Sequence, residues 1–131
     1  MRLAAISGIM AAAFLVLPAH AQQKIGKTTS VKPAAHGTVA GTLSPDADVH
    51  ANETIGTDTA GQAGLRFHDE SKLDVGPNSS VRLDRFIYDQ NRSGGQVLLN
   101  AAKGSFRFTT GNQNSKAYKV KTPYGTLGVR G

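Results

Sequence analysis

Short apolar pairs, each split by one residue, recur through the second half of this chain: Leu65/Phe67, Leu73/Val75, Val81/Leu83, Val97/Leu99, Phe106/Phe108, Tyr118/Val120 and Leu127/Val129. Successive side chains of a β-strand point to opposite sides, so each pair marks one face of a strand. Most pairs begin 8 or 9 residues after the one before, and the gap from 81 to 97 is twice 8. Turn-formers fill the intervals: Asp69-Glu70-Ser71, Gly76-Pro77-Asn78-Ser79, Asn91 to Gly95, Gly104, and Gly111 to Ser115. Strands this short and this regular predict an all-β domain, built as a sandwich, a roll or a small β-solenoid of stacked strands. No helical periodicity competes, and Ala101-Ala102 is too short to change that.

The first half is less regular. Ile25 to Lys32 is rich in Thr and Val but alternates poorly, which suggests an edge strand ended by Pro33. Val39 to Leu43 reads as a second weak strand and Ser44-Pro45-Asp46 as a turn. Residues 22–53 are therefore expected to be N-terminal strands or an extended lead-in, and 54–131 the main β domain. Within it, Phe106 and Phe108 are expected in the core with Arg107 facing away. Truncating either ring would then cost about 3–5 kcal/mol. Leu127 and Val129 share the alternation and are expected to form a core strand.

The chain start has a different character. Met1-Arg2 is followed by the apolar run Leu3 to Leu17, then Pro18 and Ala19-His20-Ala21. A positive start, an apolar middle and small residues at the end form a secretory signal peptide over residues 1–21, with cleavage expected after Ala21. The run is shorter than the roughly 20 residues of a spanning helix, so no membrane span is expected after cleavage. The product would be periplasmic or secreted.

Composition narrows the chemistry. With no cysteine, thiol catalysis and cysteine zinc sites are excluded; with no tryptophan, the strongest stacking platform is missing. The 15 Lys and Arg against 9 Asp and Glu are scattered, which suits a solvated surface and points only weakly to acidic partners. His36, His50 and His68 lack metal-ligand spacing and read as exposed strand or turn histidines. Asp46-Ala47-Asp48 resembles the start of a calcium loop, but Ala51 replaces its glycine and Thr57 its final glutamate. Asp69-Glu70 is a pair of neighbouring acids in a turn, expected to face solvent. No Gly-x-Ser-x-Gly elbow and no phosphate loop are present. These readings indicate neither an enzyme nor a cofactor or metal, and Phe106, Phe108 and Tyr118 at core alternation speak against nucleic acid. Lys119 and Lys121 lie on one face of a strand, opposite Tyr118 and Val120. With Arg107 they form the candidate partner-binding face.

The segments Ile55-Gly56-Thr57-Asp58, Ala63 to Ser79, Gly104-Ser105-Phe106-Arg107-Phe108 and Val120 to Gly131 occur in this order. From about Thr54 to Gly131 the chain resembles the periplasmic FecR domain family. The closing Val120-Lys121-Thr122-Pro123-Tyr124-Gly125-Thr126-Leu127-Gly128-Val129-Arg130-Gly131 is the most specific piece. The resemblance implies an all-β, non-enzymatic binding or sensing domain outside the cytoplasm. It implies contact with an envelope protein, as when regulators of the family touch an outer-membrane receptor or transporter. An envelope-associated spacer that binds anionic cell-wall or outer-membrane polymer is the alternative. Glu70 stands where the family usually has glycine. The family continues beyond the position of Gly131, so the domain is expected to be incomplete there and to self-associate through its C-terminal strand. The signal peptide replaces the cytoplasmic segment of the membrane-bound regulators, so their contact with a sigma factor is not carried over.

Overall fold

Alternation decides burial strand by strand. In β7 (Lys72–Val75), Leu73 and Val75 are buried while Lys72 and Asp74 face water. Burial also alternates along β9 (Gln96–Lys103), β10 (Phe106–Thr109) and β11 (Tyr118–Thr122); β6 (Gln62–Phe67) and β8 (Ser80–Ile87) each break the alternation once, and β12 (Gly125–Gly128) is exposed throughout. Shorter pieces precede them: β1 (Lys24–Lys32), β2 (Ala35–Gly37), β3 (Gly41–Thr42), β4 (Asp48–His50) and β5 (Thr54–Thr57). The computed structural model describes residues 23–89 and 94–128. The expected signal peptide lies outside them, as does Val129.

The strands form two sheets, one in the order β10-β7-β6-β1-β4 and the other in the order β12-β11-β9-β8-β5-β2-β3. Their inner faces share one core. Ile25, Val49, Leu65, Phe67, Leu73 and Val75 come from the first sheet. Ile55, Val81, Leu83, Phe86, Val97, Leu99, Tyr118 and Val120 come from the second. Phe67 and Phe86 stack across the two sheets with centroids 5.6 Å apart. The architecture is an all-β sandwich. Each fully buried aliphatic or aromatic side chain contributes roughly 1.5–3 kcal/mol, so these alternating positions supply most of the driving force. The Gly76-Pro77-Asn78-Ser79 turn carries the chain from one sheet to the other, with Asn78 at φ 52°.

Four expectations need correction. β1 lies between β6 and β4, not at an edge. Its register shifts twice, which is why its alternation is poor in the sequence. Val39 belongs to the turn between β2 and β3 and is exposed; the strand there shrinks to Gly41–Thr42. Phe106 and Phe108 face the core, and Arg107 faces water, but both rings are only half-buried because β10 is the sheet edge. Their truncation therefore costs less than for full core residues. Leu127 is 53% exposed and no core residue. β12 pairs with β11, yet it lies at the rim of the larger sheet, where the smaller one does not cover it.

Candidate functional site

Two carboxylates are fully buried, and neither is recognisable as such in the sequence. Asp69 was expected to face solvent. Instead its Oδ1 accepts from the Ser71 amide and hydroxyl, and its Oδ2 accepts from Gln113 Nε2 at 2.9 Å and the Tyr118 hydroxyl at 2.8 Å. The Tyr118 oxygen in turn accepts from the amides of Gly111 and Gln113. A turn of the five-stranded sheet is thereby fastened to β11 of the other sheet. Gly111 permits it, because a Cβ there would stand 2.0 Å from the Asp69 carbonyl. Glu70, next in the chain, sits at φ 70° and pairs with Arg66, so the turn keeps the backbone that glycine adopts most readily.

Glu53, between β4 and β5, holds a second turn. Its Oε2 accepts from the amides of Val39 at 2.9 Å and Ala40 at 2.7 Å, and its Oε1 from the His50 amide at 2.9 Å. The His50 ring lies 3.3 Å from Oε1 and is half-buried, not exposed as expected. His36 and His68 are exposed, as expected. Buried and saturated by the protein's own donors, Asp69 and Glu53 hold loops in place and present no oxygen to a substrate. Among the described residues no group of three or more His, Asp or Glu is placed to hold a metal.

Burial pushes the Tyr118 phenol up to about 12, helped by its hydrogen bond to the Asp69 carboxylate. The folded value exceeds the unfolded one of about 10, so this contribution is intact below pH about 10. It is lost as pH rises toward about 12, because the unfolded chain ionises first. The gap corresponds to roughly 2–3 kcal/mol. Urea midpoints measured between pH 9 and 12 should fall more steeply for the wild type than for Tyr118→Phe. Parallel curves would show that Tyr118 does not carry the effect.

The outer faces of the sheets differ in charge. On the five-stranded sheet, Lys24 pairs with Asp48 at 3.1 Å, Arg66 pairs with Glu70, and Arg107 stands opposite Asp74 in register. The Lys24 ammonium holds the Asp48 carboxyl below its usual value. On the seven-stranded sheet, pairing aligns Lys119, Leu98 and Arg85 in one row and Lys121, Asn100 and Arg82 in the next. Rows of three strands span about 10 Å, so the four cations form a compact patch. Asp84 pairs with Arg82 at 3.0 Å, and Arg85 donates to Gln96. Lys119 and Lys121 are exposed, with no ion pair to either among the described residues.

The structure thus brings Lys119 and Lys121 together, places Arg107 on the other sheet beside Asp74, and adds Arg82 and Arg85. Strand order across a sheet is set by long-range pairing, so these arginines carried no local signal. No described helix is long and apolar enough to cross a membrane.

Fold and surface define a class, the all-β sandwich domain with a cationic sheet face. The profile described as FecR protein matches residues 53–131, and the chain belongs to the FecR family, a regulatory and sensing family of the periplasm rather than an enzyme family. No curated protein and no solved structure matches the chain.

Proposed function

We propose that this is an exported, non-catalytic FecR-like module, residues 54–131 with their N-terminal strands, that binds another envelope protein through the outer face of its seven-stranded sheet. The observation that carries the reading is the patch of Lys119, Lys121, Arg82 and Arg85, set against a second sheet whose cations mostly have acidic neighbours. Arg82 is paired with Asp84, but Lys119 and Lys121 have no ion pair among the described residues, and such charge on a sheet face is held at little structural cost and steers an acidic partner. Export rests on the tripartite start of the chain, with the mature protein beginning at Gln22. The same patch favours a second reading, an envelope spacer that lies on anionic cell-wall or outer-membrane polymer.

A photo-crosslinking residue at position 119 in the exported protein separates the two. A defined envelope protein should be trapped there and not from position 107. The double change Lys119→Glu and Lys121→Glu should weaken capture about tenfold, corresponding to about 1.4 kcal/mol, while Arg107→Glu leaves it intact. Salt-sensitive retention on purified envelope polymer, with no protein trapped, would replace the first reading with the second.

A further inference from the structure

Gly64 occupies an outward position in the middle of β6, where a strand ordinarily carries a side chain. Glycine inside a strand weakens it, and marks a bulge or the close approach of another group. A bulge lies directly opposite. β1 pairs Thr28 with Leu65 and Ser30 with Gly64, so Thr29 and Ser30 together oppose a single residue. The bulge turns two consecutive hydroxyls to the same outer face. From the other side β7 pairs Asp74 with Gly64. A Cβ on residue 64 would stand 2.6 Å from Ser30 Oγ, 3.0 Å from Thr29 Oγ1 and 3.3 Å from Asp74 Oδ1. Oxygens from two strands thus converge over a notch floored by the backbone of a third.

The notch opens into a cleft of about 380 Å³, where Gln62, Ser105 and Arg107 join Ser30 and Asp74. This is within the range of small-ligand sites, about 300–1,000 Å³. The strands beneath the notch, β1, β6 and β7, are each paired on both sides. Asp74 and Arg107 stand in register without closing an ion pair. Neither they nor the side chains of Thr29, Ser30, Gln62 and Ser105 bond to another described residue. One carboxylate, one guanidinium, one amide and three hydroxyls are therefore left for a ligand. The two charges cancel, so a ligand with net charge gains little. A zwitterion would engage Asp74 and Arg107 and leave the three hydroxyls and the amide unserved. Each hydroxyl of a sugar both donates and accepts, so neighbouring hydroxyls can donate to Asp74 and accept from Arg107 together. We infer that this cleft is a binding site for a neutral sugar unit. Asp74, Ser30 and Thr29 hold one of its hydroxyls over Gly64, and Arg107 and Gln62 hold the hydroxyls beside it. The site lies on the five-stranded sheet, away from the cationic patch, and does not depend on the proposed function.

The test titrates the exported protein with maltotriose and with the trimer of N-acetylglucosamine at millimolar concentration, following backbone amide signals by NMR. At least one of the two should shift the amides of Ser30, Gly64 and Asp74 and leave those of Lys119 and Lys121 in place. Glycine, a zwitterion, should shift none of them. Asp74→Ala and Arg107→Ala should each weaken sugar binding about tenfold or more. Ser30→Ala should weaken it several-fold with no change in the urea midpoint, since that side chain is exposed and unpaired. Gly64→Ala fills the notch and should abolish binding; Ser30→Ala carries the test if that variant does not fold. Charge reversal at Lys119 and Lys121 should leave sugar binding unchanged. Absence of binding by both sugars, shifts confined to another surface, glycine binding at the same amides, or indifference to both Asp74→Ala and Ser30→Ala overturns the proposal.

Discussion

Asp69→Ala is expected to lower the unfolding free energy by about 4 kcal/mol, a large share of what a domain of this size has. The loss is not that of one hydrogen bond. The Ser71 amide and hydroxyl, the Gln113 side-chain amide and the Tyr118 hydroxyl all donate to this one buried carboxylate. Leaving a buried donor unmet costs about 1–3 kcal/mol, and some of the four will find other acceptors. Asp69→Asn should also destabilise, by roughly 2–3 kcal/mol, because its NH₂ must face donors whichever way it turns. Glu70→Gly is the local control. It relieves a positive φ, gives up an exposed ion pair with Arg66, and should stay within about 1 kcal/mol of the wild type. Urea unfolding of the three variants measures this directly. A cost below about 1 kcal/mol for Asp69→Ala would mean that the two sheets are not fastened here.

Glu53→Ala should be nearly as costly, about 3–4 kcal/mol, but with a local signature. The amides of Val39, Ala40 and His50 lose their acceptor, so the turn between β2 and β3 should exchange its amides faster than the core. Gly37→Ala approaches the same site from the other side. Its Cβ would stand 2.2 Å from the Glu53 carboxylate, and the same turn should loosen. If exchange accelerates uniformly across both sheets, Glu53 supports the fold as a whole and the local account is wrong.

The two carboxylates show why period-two reading finds a core but misses its fastenings. Asp69 and Glu53 lie in turns, where acids are ordinarily solvated. They are buried because Gln113 and Tyr118, or Val39 and Ala40, arrive from elsewhere in the chain. Phe86 was missed for a related reason. The register between β8 and β9 shifts between Leu83 and Arg85, so the next buried residue after Leu83 comes three positions later instead of two. The candidate site was half legible. Lys119 and Lys121 share a strand and could be paired by counting, whereas Arg82 and Arg85 join them only through pairing of β8 with β9 and of β9 with β11.

By itself the sequence determined that the chain is all-β, and which of its alternating residues face inward; for Leu65 through Leu99 and for Tyr118 and Val120 the buried pairs are those that the alternation names. It could do so because a strand's inner face is set by local geometry and every second side chain obeys it. Only the tertiary structure decided the strand order, the depth of burial at the rims and the identity of the charged face. Phe106 and Leu127 have the same local pattern as Leu73, yet one sits on an edge strand and the other where the sheet has no cover. Burial at a rim depends on what the opposite sheet brings over it, and that is a property of pairings between residues far apart in the chain.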